Sequence, residues 1–190
     1  AAFDSTFVVG ATNSFGYVTD FSTYGSLVDI VAPGLDILSL RARGTDMYAD
    51  AGEPGVRIVG NDSSYYLSDG TSMASPMVAG AAAVLLSFRP GLSLSQVENA
   101  LQLGAVDLVD PYGIGDSLPG VDTISGWGSL NIENSLSFAS GGRLFITSPI
   151  QRGRYIGDIA VRIASFDSDY SDSWTLEYRS PRETNWTFMA

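Results

Sequence analysis

Gly70-Thr71-Ser72-Met73-Ala74-Ser75-Pro76, followed by an almost wholly apolar run to Leu86, decides how this chain folds. From Met73 to Leu86 no polar face develops, so the spacing predicts a helix enclosed by protein rather than one lying on a surface. Pro76 is read as harmless because its missing N–H lies near the first turn, where helix donors have no partner anyway. Arg89-Pro90-Gly91 stops the helix. The segment therefore sets a serine, Ser72, at the mouth of a long buried helix, among unpaired backbone N–H groups and at the positive end of the helix dipole. A bare Gly-Thr-Ser is an ordinary helix cap. A serine so placed can equally be a nucleophile whose own N–H donates to an oxyanion, provided a base takes its proton.

Composition restricts where that base can come from. The 190 residues contain no histidine and no cysteine. All ten basic residues are arginine, so no lysine can serve as base or form a Schiff base. Cysteine nucleophiles, disulfides and His or Cys zinc ligands drop out as well. Acidic residues outnumber basic ones 21 to 10, and the net charge of −11 repels nucleic acid and anionic membranes. With 45% hydrophobic and 16% charged residues, the chain can build a real core. No run of about 18 uninterrupted apolar residues argues for a membrane span. The start at Ala1-Ala2-Phe3-Asp4 carries no initiator methionine, basic n-region or signal core, as expected for a downstream piece of a precursor.

Outward from the helix, Phe7–Ala11 and Val28–Ala32 read as strands buried on both faces, the second stopped by Pro33-Gly34. Residues 36–40 form a third extended piece. The glycine-rich, acidic stretch 41–69 is a surface excursion holding a short strand pair at 56–59 and 65–67. Ser95-Gln96-Val97-Glu98 has capping-box form and starts an amphipathic helix with Val97, Ala100 and Leu101 on its inner face and Gly104 as C-terminal cap. A helical turn follows at 132–138, then a linker at Ser140-Gly141-Gly142. Runs at 144–146, 159–163, 174–178 and 186–188 are spaced like a small all-β module.

The string Gly70 to Pro76 matches, at every position, the nucleophile motif of subtilisin-like serine proteases, Gly-Thr-Ser-Met-Ala-Ser/Thr-Pro. The α/β-hydrolase elbow is not matched, since Ala74 stands where its second glycine would be. The likeness continues through Val8-Val9-Gly10-Ala11, Phe21-Ser22-Thr23-Tyr24-Gly25, Val31-Ala32-Pro33-Gly34 and the Gly126-Trp127-Gly128 to Asn131 turn, in matching order. Met77 replaces the histidine that many members carry after the proline. The resemblance implies an α/β, parallel-sheet, three-layer fold, of which residues 1–140 are the C-terminal half and 141–190 an appended partial β-sandwich-like module. It implies a secreted serine endopeptidase acting on protein or peptide, with Ser72 as catalytic nucleophile. The family's Asp-Thr-Gly, His-Gly-Thr and oxyanion-hole asparagine would lie upstream, so this piece needs that other half and is inert alone. The alternative is a catalytically incomplete subtilase-like binding or assembly module. A third option has residues 141–190 dock to polysaccharide or a cell surface.

No cofactor is required for such catalysis. Family members often bind calcium, and Asp46, Asp50, Glu53, Asp62 and Asp69 crowd one region, but no EF-hand spacing appears and solvated acidic loop is the favoured reading. Asn61 and Asn185 lie in formal glycosylation sequons. Tryptophans and tyrosines near the C-terminus are read as core of the β module rather than a ligand platform. Met73, beside the serine, is expected to line the edge of the site and to be open to sulfoxide formation.

Overall fold

Valine and isoleucine, stiff at χ1, favour extended backbone at the first two strands. The computed structural model describes residues 6–41, 57–59, 65–108, 120–140, 144–148, 162–165, 176–178 and 187–189. β1 (Val9–Thr12) and β2 (Ile30–Pro33) pair in parallel, Val9 opposite Ile30 and Thr12 opposite Pro33. Gly10, Ala11 and Thr12 of β1 and Ile30, Val31 and Ala32 of β2 are buried, as the apolar runs predict. The Phe-Ser-x-x-Gly segment serves this sheet directly: the buried Ser22 hydroxyl accepts the Ala11 N–H at 2.9 Å. On the other side of β2, Val31 donates to Gly128 O (2.9 Å) and accepts from Leu130 N (2.8 Å), so the Gly-Trp-Gly turn extends the sheet.

β3 (Ile37–Leu40), β4 (Arg57–Val59) and β5 (Tyr65–Ser68) form a separate antiparallel sheet with β5 in the middle. β5 leads straight into α1 (Thr71–Phe88), which packs on β1 and β2. α2 (Leu94–Gly104) and α3 (Ile132–Ala139) pack on each other and on α1. The core gathers Ile30, Ala32, Ala74, Val78, Ala81, Leu85, Leu92, Val97, Ala100 and Leu101. Beyond it, β6 (Leu144–Ser148) pairs antiparallel with β7 (Arg162–Ser165), and β8 (Leu176–Tyr178) with β9 (Thr187–Met189).

Three local expectations change. First, α1 is not enclosed: only Ala74, Val78, Ala81 and Leu85 are buried, a single stripe at helical spacing, while Met77, Val84, Leu86 and Phe88 stay exposed. The described residues cover that stripe with β1, β2, α2 and α3 and leave the rest of the helix surface open. By length and composition α1 would also suit a membrane span, yet its buried stripe packs as a core helix does. Second, the cap of α2 is Ser93, not Ser95. The Ser93 hydroxyl accepts the Gln96 N–H (3.3 Å) and the Gln96 side chain accepts the Ser93 N–H (2.9 Å). Both serines have a capping-box sequence; only the Ser93 register puts buried Leu92 before the cap and buried Val97 at the fourth position, a hydrophobic staple. With Ser95 as cap, the preceding residue would be Leu94, which is 75% exposed. Third, Gly104 is the last residue of α2 rather than its cap, which is Ala105. A Cβ on Gly104 would lie 2.5 Å from Ser135 N and Oγ, so glycine here permits α3 to touch α2.

Candidate active site

Ser72 is the second residue of α1 and is exposed to solvent. The residue before the helix, Gly70, has φ 148° and ψ 159°, a backbone that side chains rarely tolerate, and it provides no side-chain cap. The first-turn donors are divided unevenly. Met73 N–H and Ala74 N–H both reach Gly70 O, at 3.0 and 3.4 Å. Thr71 N–H and Ser72 N–H make no hydrogen bond to a described residue, leaving two donors at the positive end of the helix. Such a pair can hold an oxyanion.

The proline lies deeper than expected. Pro76 comes five residues after the first helical residue, Thr71, so its absent N–H is the one that would have paired with Ser72 O. A proline in a helix interior costs about 3 kcal/mol or more. The carbonyl of Ser72 is thereby left without its helical partner. An open cleft of ≈ 490 Å³ lies over this end, lined by Val9, Thr71, Ser72, Ser75 and Pro76. Met73 is not in its lining; its sulfur lies beside Gly70, where an added Cβ would stand 3.6 Å from that sulfur and 3.7 Å from Ser72 N. A second, apolar groove of ≈ 210 Å³ continues along the same flank of α1, sharing Val9 and Ser75 and reaching Phe7, Leu94 and Leu101.

Around this end the loops are tied by bonds that no local pattern announces. Gly70 N–H donates to Gly34 O at 2.7 Å, and Asp36 N–H donates to Asp69 Oδ1 at 2.7 Å. At the opposite, N-terminal end of the two parallel strands, Asp29 accepts from Val8 N–H (2.6 Å) on one oxygen and from the Gln102 amide (2.9 Å) on the other, fastening the entry to β1 and α2 to the entry of β2. At the far end of the sheet, Asp107 accepts from Gly120 N–H at 2.9 Å while its other oxygen is buried without a hydrogen-bond partner among the described residues. Burial pushes its carboxyl above the usual range, the Gly120 bond works against this, and nearby Asp122 adds to it. Of the acidic residues weighed for calcium, Asp46, Asp50, Glu53 and Asp62 fall outside the described residues, and Asp69 is occupied with Asp36. Among the described residues no group of three or more metal-type side chains converges. Asn61, Asn185 and the linker glycines also fall outside the described residues.

The profile of the subtilase family, peptidase S8, matches residues 1–128. The cell wall-associated protease of Bacillus subtilis is 38% identical over 146 residues, covering 69% of this chain and 14% of that protein. Subtilisin DY of Bacillus licheniformis is 37% identical over 122 residues, covering 64% of this chain and 38% of that protein. The chain thus spans well under half the length of these relatives. Among solved structures, a lanthipeptide protease superposes with a TM-score of 0.55 at 26% identity, covering 72% of this chain and 42% of that one. The patellamide maturation protease PatA gives 0.51 at 28% identity, covering 71% and 43%.

Proposed function

Because this chain belongs to the subtilase family, we propose that it supplies the nucleophile half of a serine endopeptidase, with Ser72 as the attacking residue. The observation that carries this reading is the exposed Ser72 beside two first-turn N–H groups that bond to no described residue, in a cleft at the helix mouth. Ser72 Oγ attacks the scissile carbonyl carbon as its proton passes to an imidazole. The carbonyl oxygen becomes an oxyanion that accepts from Ser72 N–H. Collapse breaks the C–N bond, the imidazolium protonates the departing amine, and water then releases the acyl group by the same route. The 190 residues contain no histidine, so the base is contributed by polypeptide outside them. The exposed flank of α1 and the apolar groove at Phe7, Val9 and Leu101 are where that polypeptide would complete the three-layer fold.

On this reading the substrate is protein or peptide and the working location extracellular, in keeping with the Bacillus relatives. Residues 1–140 are the catalytic portion, and 141–190 are a separate β module, a division that the two antiparallel strand pairs support. Structural calcium remains compatible with the family but has no assigned ligands here. The test is fluorophosphonate labelling followed by peptide mapping. The complete protein is expected to be labelled at Ser72, Ser72→Ala to be unlabelled, and the 190-residue chain alone to label at a negligible rate. In subtilisin, a member of this same family, loss of the base costs on the order of 10⁶ in kcat. An intact reading frame lacking His-Gly-Thr and Asp-Thr-Gly, together with no labelling, would establish the binding-module alternative instead.

A further inference from the structure

We infer that Asp69, three residues before Ser72, is a positioning residue that holds the backbone entering α1 through a latch to the Gly34–Asp36 turn; this rests on Ser72 being the nucleophile. The antiparallel ladder between β3 and β5 ends at the pair Ile37 and Ser68. The next residue on the β3 side, Asp36, has φ 57° and is the one non-glycine with positive φ among the described residues. That conformation costs a residue with a side chain about 1 kcal/mol, less for aspartate than for most, and persists only where its surroundings fix it. What fixes it is a side chain: Asp69 Oδ1 accepts the Asp36 N–H at 2.7 Å, a short charge-assisted bond in place of the ladder bond. One residue on, Gly70 N–H reaches Gly34 O at 2.7 Å.

These two bonds clamp consecutive residues immediately before the helix. They leave no slack, because a Cβ on Gly34 would stand 2.8 Å from Gly70 O, 2.7 Å from Ala11 Cβ and 3.3 Å from Ala74 Cβ. Gly70 has no side chain with which to cap α1, so the helix mouth is held from across the fold rather than by its own sequence. The register of Ser72 against an incoming carbonyl is then set by the latch. A small displacement there matters, since a misplacement of about 1 Å can cost on the order of a hundredfold in rate.

The experiment uses the complete protein and a peptide substrate, with kcat counted per fluorophosphonate-titrated site so that unfolded molecules drop out. Asp69→Ala is expected to lower kcat about tenfold with KM within about twofold, the signature of lost orientation rather than lost binding. Asp69→Asn keeps an acceptor oxygen of the same shape and recovers most of that loss. Asp69→Leu fills nearly the same space with no acceptor for the Asp36 N–H, and gives a second arm with kcat lowered as in Asp69→Ala. Unchanged kcat in Asp69→Ala, or in Asp69→Leu should the first variant not fold, overturns the latch. So does an Asn variant as slow as the Ala variant, or a rise confined to KM. If the unaltered protein fails to label at Ser72, the nucleophile assignment falls and takes the latch with it; normal labelling with normal kcat in the variants removes the latch alone.

Discussion

Replacing Gly104 by alanine adds one methyl group at the place where α2 and α3 touch. The new carbon would stand 2.5 Å from Ser135 N and Oγ and 2.7 Å from Ser135 Cα. Two of those three atoms are backbone, so no rotamer change clears the site, and the Ser135 hydroxyl is also committed to Asn131 O at 2.8 Å. Overpacking of this kind typically costs about 1–3 kcal/mol. Alanine returns part of it through helix propensity, at most about 1 kcal/mol for an interior position and less at the last residue of a helix. The net expectation is a loss of about 1–2 kcal/mol, which lowers Tm by roughly 2–8 °C in a 150–250-residue protein and by less in the larger complete protein. Urea unfolding of the complete protein measures it, with an unchanged m-value showing that only the native packing was altered. Adding Ser135→Ala should restore little, because the backbone atoms remain in the way. A Gly104→Ala variant as stable as the parent would refute the close approach of α2 and α3.

Asp29→Ala strands the donors of Val8 and Gln102, which should cost about 2–4 kcal/mol; a double-mutant cycle with Gln102→Ala should show coupling, and strict additivity would count against the clamp. For Asp107, the folded state holds its proton more tightly than the unfolded chain does, because burial raises its carboxyl. That group therefore favours folding below the ordinary carboxylate range and works against it once pH has risen through the raised value. Asp107→Asn keeps an acceptor for Gly120 N–H and should be more stable than the parent at neutral pH, with the advantage closing in acid; a difference independent of pH would contradict the assignment. The Met73 sulfur lies beside Gly70 and outside the cleft lining, so peroxide should convert it to the sulfoxide and lower activity without blocking fluorophosphonate access altogether. Mass spectrometry that finds Met73 unoxidised under full inactivation would place the damage elsewhere.

The likeness to the subtilases was legible because it is carried by contiguous residues: Gly70 to Pro76, Val31 to Gly34, and the Gly-Trp-Gly turn. Each of these does something local in the fold, opening a helix, closing a strand or extending a sheet edge. The cap of α2 was half legible. Ser93 and Ser95 each satisfy the capping pattern, and the burial of Leu92 against the core, which sequence periodicity cannot see, chooses between them. The latch, the Asp29 clamp and the contact of Gly104 with Ser135 were not legible at all. They join residues 33, 73 and 31 positions apart, respectively.

By itself, then, the sequence determined roughly where strands and helices form, that Ser72 lies in the first turn of α1, and that no imidazole or lysine to serve as its base exists within these residues. Those are matters of χ1 stiffness, apolar spacing, chain stops and inventory, all decided within a few positions or by counting. Only the tertiary structure decided which flank of α1 is buried, which donors at its mouth bond to no described residue, and that Asp69 holds the turn beside it while Asp29 ties the far ends of the strands. The reason is that sheet order and helix packing bring together groups whose separation along the chain leaves no periodic trace.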